Sequence, residues 1–121
     1  MAKKTVLLVE DDCDLRNALQ LVLKRKGYRV TCAGNGQEAL DTMRSPEEPS
    51  PSLILLDLMM PVMDGWEFRA EQLKDPALAD IPVILISTDA QAEDHAASIG
   101  AVAYLKKPFE FQQLANMIGA A

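Results

Sequence analysis

Four apolar runs in this chain stop at residues able to handle a phosphoryl group. Val6-Leu7-Leu8-Val9 ends at Glu10-Asp11-Asp12, and Leu53-Ile54-Leu55-Leu56 ends at Asp57. Val83-Ile84-Leu85-Ile86 ends at Ser87-Thr88, and Val102-Ala103-Tyr104-Leu105 ends at Lys106-Lys107-Pro108. If the runs are parallel strands, all four endings share the carboxyl edge, where open α/β sheets hold ligands. Glu10, Asp11 and Asp57 offer only oxygen, and clustered carboxylates repel one another unless a cation or protons compensate. Oxygen-only donors select a hard ion such as Mg²⁺, with Mn²⁺ as substitute. A metal site with one carboxylate placed as nucleophile suits phosphoryl transfer to Asp57, giving an acyl phosphate. That transfer needs in-line positioning and positive charge on the equatorial oxygens, which the ion, a lysine and a hydroxyl can supply. Taken singly, an acidic pair after a strand is a helix N-terminal charge, Ser-Thr a cap and Lys-Pro a turn. Their joint placement on one edge, in this order, favours the chemical reading.

The elements that must position them alternate strand and helix five times. Residues 5–9 read as a buried strand. Leu15, Ala18, Leu19, Val22 and Leu23 then mark one face of a helix ending at Gly27. Residues 28–33 form a second strand, and Asn35-Gly36 opens a helix carrying Ala39, Leu40 and Met43. Three prolines between Ser45 and Pro51 require a loop before strand 53–57. Asp64 is placed to cap a helix whose inner face is predicted to hold Trp66, Ala70 and Leu73, closed by Asp75-Pro76. Strand 82–87 is followed by an alanine-rich helix over 90–98. Strand 101–105 precedes a last helix striped by Phe111, Leu114, Ala115 and Ile118. Strands apolar on both faces, each followed by a helix, predict a doubly wound parallel sheet covered on both sides.

The 121 residues fit one domain, 1–121, long enough to bury a core without a metal or disulfide staple. A formal net charge of −6 argues against direct nucleic-acid contact and against anionic membrane surfaces. No stretch reaches the length of a membrane span. The run after Lys3-Lys4 is too short for a signal-peptide core. Cys13 and Cys32 follow no metal spacing and read as free thiols in a reducing compartment, which makes the cytoplasm the expected location. His95 reads as a solvated side chain on a helix surface, Trp66 as a packing residue, and the methionines at 59, 60 and 63 as loop and core packing.

With these motifs in place, the chain resembles the receiver domain of two-component response regulators, of the chemotaxis-type single-domain kind. The likeness covers nearly the whole chain. Val9 to Asp12 resembles the family's acidic pair, mapped to Glu10 and Asp11, and the segment from Leu56 to Gly65 resembles the phosphoacceptor stretch with Asp57 as acceptor. The resemblance implies a flavodoxin-like (βα)5 fold with strand order 2-1-3-4-5. It also implies that the Met59 backbone carbonyl completes the protein's share of the metal shell. Ser87 matches the switch hydroxyl, Tyr104 the switch aromatic and Lys107 the phosphate-pairing lysine. The Lys107-Pro108 bond is expected to be cis. Thr88 is bulkier than the Ala or Gly common there, and is expected to slow access to the phosphoryl site. Met59 and Asp89 occupy positions that tune dephosphorylation. Met59 offers a hydrolytic water no side-chain hydrogen bond, so a long-lived phosphoryl group is expected.

The resemblance implies a switch rather than a conventional enzyme. A sensor histidine kinase or histidine phosphotransfer protein donates to Asp57. The face built from helix four, strand five and helix five then changes its preference for an output protein. A sequence ending just after helix five suggests a single-domain regulator or relay shuttle, with an excised receiver of a larger protein as the alternative. A phosphorylation-dependent dimer is left open. Three rivals carry less weight. A haloacid-dehalogenase-like phosphatase needs a second Asp where Met59 stands. A flavodoxin's phosphate would be repelled by Glu10-Asp11-Asp12. A receiver fold kept only for constitutive binding would have lost Asp57 or Lys107.

Overall fold

Five short strands alternate with five helices, and the three central strands carry continuous apolar runs. The computed structural model describes residues 4–120; residues 1–3 and 121, at the ends of the predicted domain, lie outside the described residues. The elements are β1 (Thr5–Val9), α1 (Cys13–Arg25), β2 (Arg29–Ala33), α2 (Gly36–Arg44), β3 (Leu53–Asp57), α3 (Gly65–Lys74), β4 (Val83–Ser87), α4 (Ala92–Ile99), β5 (Ala103–Lys106) and α5 (Phe111–Ala120). All pairings are parallel, in the order β2-β1-β3-β4-β5. The predicted doubly wound, flavodoxin-like sheet is the observed one. Central strands β1, β3 and β4 are buried at every position, which is why they read as unbroken apolar runs rather than alternating ones.

Alternate strand residues serve opposite faces. Leu7, Val9, Ile54, Leu56 and Leu85 pack with Ala39, Leu40, Phe68 and Ile99 from α2, α3 and α4. Val6, Leu8, Leu55, Ile84 and Ile86 pack with Leu19, Leu23, Leu114 and Ile118 from α1 and α5. Register then fixes the carboxyl edge: Val9 pairs with Leu56, Asp57 with Ile86, and Ser87 with Lys106. The helices run back against the strands. The first turns of α1, α2 and α3 therefore carry Asp14, Glu38 and Glu67 at the carboxyl edge, and their last turns carry Lys24, Arg25, Arg44 and Lys74 at the other.

Asp12 caps α1 by accepting from the amides of Asp14 and Leu15, and Asp64 forms a capping box with Glu67 at α3. Gly100 ends α4 in the left-handed conformation, φ 69°. Two expectations need correction. Strand β5 runs from Ala103 to Lys106 rather than 101–105, because its pairing with β4 begins at Ala103 opposite Ile84 and ends at Lys106 opposite Ser87. The inner face of α3 is Gly65, Phe68, Arg69 and Gln72, not Trp66, Ala70 and Leu73; Leu73 is exposed and Trp66 only half-buried. Two polar side chains occupy this face because each finds buried acceptors. Arg69 donates to the Ile99 and Gly100 carbonyls and to Gln72 Oε1, and Gln72 donates to the carbonyls of Leu78 and Ile81.

Val62, in the β3–α3 loop, has φ 68° and an 80 % exposed side chain. A β-branched residue there pays strain of about 1–2 kcal/mol without packing in return. Val62→Asn is expected to raise stability by about 1 kcal/mol, seen as a higher urea midpoint with unchanged m-value; a lower midpoint would refute this.

Candidate functional site

Three strand ends and the loop after β5 build one shallow site. Glu10, just beyond β1, is wholly buried; Asp11 beside it is exposed; Asp57, the last residue of β3, is 6 % exposed. The β1–β3 pairing brings them together, and a carboxylate oxygen from each lies within 4.8 Å of the others. Lys107 Nζ pairs with Glu10 Oε1 and lies 3.5 Å from Asp57 Oδ2. The backbone amide of Lys107 donates to the Ser87 carbonyl at 2.7 Å, tying the ends of β4 and β5, and the Lys107–Pro108 peptide is cis.

Neighbouring groups fix the acids. Arg16 Nη1 donates to the Glu10 carbonyl at 2.7 Å, and the Asp12 amide donates to Glu10 Oε2 at 3.3 Å. The Met59 amide donates to Asp57 Oδ1 at 3.3 Å while its side chain stands out, 67 % exposed. Burial pushes the Glu10 pKa up; Lys107 opposes this and Asp57 adds to it. For Asp11, burial and then the Glu10 carboxyl do the same. Both shifts describe negative charge held at a cost, which a bound cation would relieve.

The buried Ser87 Oγ accepts from the Asp89 amide at 3.0 Å. Exposed Thr88 lines a cleft of about 270 Å³ with Asp12, Leu15, Lys107, Pro108, Phe109 and Phe111. Tyr104 is half-buried on β5 against the α2–α3–α4 side of the core. Asp89 Oδ1 accepts from the Gln91 amide at 2.8 Å, and its Oδ2 lies 3.2 Å from His95 Nε2. His95 is therefore not a merely solvated side chain: it is half-buried, with its ring edge-on to Trp66 at 5.2 Å between centroids. Sequence reasoning missed Arg16, Arg69 and the bonded state of His95. Only Arg69 left a trace, sitting four residues after Gly65 and one after Phe68 on a helical stripe.

The donor set fits Mg²⁺: carboxylate oxygens only, close together, partly buried and short of compensating charge. A flavodoxin-like parallel sheet with an acidic cluster and a lysine at its carboxyl edge defines a receiver. The chain belongs to the response regulator receiver domain family of two-component signalling, which matches residues 6–119. Receivers are phosphoacceptor signalling proteins rather than classical enzymes. The uncharacterized transcriptional regulatory protein YkoG of Bacillus subtilis (strain 168) is 38 % identical over 123 residues, covering 100 % of this chain and 52 % of that protein. The chain spans about half the length of the first curated relatives it matches. The chemotaxis response regulator CheY4 of Vibrio cholerae superposes with a TM-score of 0.87 at 27 % identity, covering 98 % of each chain. The phosphorylated cyanobacterial phytochrome response regulator RcpA gives 0.81 at 31 % identity, over 98 % of this chain and 91 % of that one. No helix among the described residues is long and apolar enough to cross a membrane.

Proposed function

We propose that this chain is a phosphorylation switch acting in the cytoplasm, with Asp57 as the phosphoacceptor. The observation that carries the reading is the meeting of Glu10, Asp11, Asp57 and Lys107 at one strand edge. The donor is a phosphohistidine on a sensor kinase or phosphotransfer protein. An Asp57 carboxylate oxygen bonds to phosphorus as the phosphorus–nitrogen bond to histidine breaks. Glu10, Asp11, Asp57 and the Met59 carbonyl would hold Mg²⁺ or Mn²⁺. When bound, the ion offsets the carboxylates' repulsion and supplies positive charge to the phosphoryl oxygens.

Lys107 sits close enough to Asp57 to turn from Glu10 to a phosphoryl oxygen. Ser87, on the adjacent strand, turns its hydroxyl toward a second one. With Ser87 drawn inward, Tyr104 swings toward the space it leaves, and the face formed by α4, β5 and α5 changes its partner preference. That face holds a wide cleft of about 620 Å³ lined by Ala96, Val102, Tyr104 and Met117, suited to an output protein or a second copy. Two features support a long phosphoryl lifetime. The Met59 side chain is exposed and offers no hydrogen bond to a hydrolytic water, and the Asp89 carboxylate is engaged by the Gln91 amide and His95.

The test is intact-mass measurement after incubation with Mg²⁺ and acetyl phosphate, beside Asp57→Asn. The wild type is expected to gain one phosphoryl group, the variant none, and a chelator to abolish the gain. Equal labelling of the variant would place the acceptor elsewhere. No labelling with acetyl phosphate or with a histidine kinase would leave a binding module as the reading.

A further inference from the structure

A polar chain leads away from Asp57's edge and ends on an aromatic ring. Ser87 Oγ accepts the Asp89 amide at 3.0 Å, Asp89 Oδ1 accepts the Gln91 amide at 2.8 Å, and Asp89 Oδ2 lies 3.2 Å from His95 Nε2. Behind the imidazole, the Trp66 ring stands perpendicular, at 89°. The four side chains belong to β4, the following loop, α4 and α3, so the chain joins the switch hydroxyl to two helices.

The N-terminus of helix α4 is fastened here. Gln91, at its N-cap, supplies no side-chain hydrogen bond to the first turn. Asp89 does the work instead: its carbonyl accepts from the Ala92 amide, its carboxylate takes the Gln91 amide and the His95 ring. The far end of α4 is gripped separately by Arg69 on the Ile99 and Gly100 carbonyls. Both fixings run to α3. Only the one at the N-terminus is connected to Ser87.

We infer that His95 is a positioning residue of the phosphoryl switch, clamped between Asp89 and Trp66 and holding Ser87 in its unphosphorylated setting. The inference rests on the reading of Asp57 as phosphoacceptor. Drawing the Ser87 hydroxyl toward a phosphoryl oxygen strains its bond to the Asp89 amide, so the Asp89–His95 contact must loosen for the loop to follow. A carboxylate–imidazole hydrogen bond at the surface and a ring-edge contact are each weak. That suits a clamp which biases a switch without locking it.

The experiment is a double-mutant cycle on the rate of phosphorylation by acetyl phosphate and Mg²⁺, followed by intact mass. His95→Ala is expected to accelerate phosphorylation by a factor of about two to five, the size set by such contacts. Asp89→Ala should do the same, and the double variant no more than either. His95→Gln, which keeps a donor for Asp89, should return most of the wild-type rate. Trp66 is the only tryptophan, so its emission reports the ring contact directly. Phosphorylation should change that emission in the wild type and leave it unchanged in His95→Ala. An equal effect of His95→Ala with and without Asp89 would show simple loss of helix stability and overturn the clamp. So would unchanged rates with unchanged emission. If the wild type gains no phosphoryl mass, the Asp57 reading fails and this inference with it; labelling with additive variants sinks the clamp alone.

Discussion

Gly65→Ala is expected to cost about 3 kcal/mol of stability and to slow phosphorylation of Asp57 at least about tenfold. A Cβ at this position would stand 2.7 Å from the Asp57 carbonyl oxygen, the Leu58 Cα and the Leu58 Cδ2. Two of those atoms are backbone, so no rotamer change relieves the contact. The strand end that carries Asp57 must move, or α3 must pull away and stretch the 2.9 Å hydrogen bond from the Gly65 amide to the Leu58 carbonyl. Alanine's better helix propensity returns only about 1 kcal/mol, so the clash wins. Urea unfolding and the acetyl phosphate rate together check the expectation. Wild-type behaviour in both would mean that α3 slides freely on the sheet.

Arg69→Met should be the second large loss, about 3 kcal/mol, because it removes a charged donor from buried acceptors while nearly keeping the volume. Arg69 is 8 % exposed, and its guanidinium bonds the Ile99 carbonyl at 2.7 Å, the Gly100 carbonyl at 3.2 Å and Gln72 Oε1 at 2.8 Å. Burial lowers its pKa, and the carbonyls at the C-terminus of α4 offset that cost with negative dipole charge. Arg69→Lys should recover only part of the loss, since an ammonium cannot span three acceptors in the same fork geometry. Thermal unfolding measures the stability, and amide exchange in α4 should accelerate more than in α1. Uniform exchange across the helices would argue that Arg69 serves the whole fold rather than α4.

How much the sequence disclosed depended on where each residue's partners lie. Buried strands announce themselves by unbroken apolar runs, so β1, β3 and β4 were readable to within a residue, and their polar endings pointed to the site directly. Asp64 was legible as a cap because its partner, Glu67, is three residues away. The inner face of α3 was not legible. Arg69 and Gln72 look like surface residues until carbonyls at 78, 81, 99 and 100 arrive from elsewhere in the chain. His95 misled for the same reason, since Asp89 and Trp66 reach it from a loop and another helix. Apolar periodicity records what water rejects; it does not record which polar groups later find one another.

The opposed running of strands and helices has a kinetic meaning. Acidic first turns gather at the edge holding Glu10, Asp11 and Asp57, and basic last turns gather at the opposite edge. The protein is thus electrically polarised along its strands despite a net charge of −6. Such a body is turned by the field of an approaching partner before contact, over a range of about 10 Å at moderate salt. A divalent cation or a basic docking surface meets the edge of Glu10, Asp11 and Asp57 first, and an acidic one meets the far end, so orientation on encounter is written into chain direction itself.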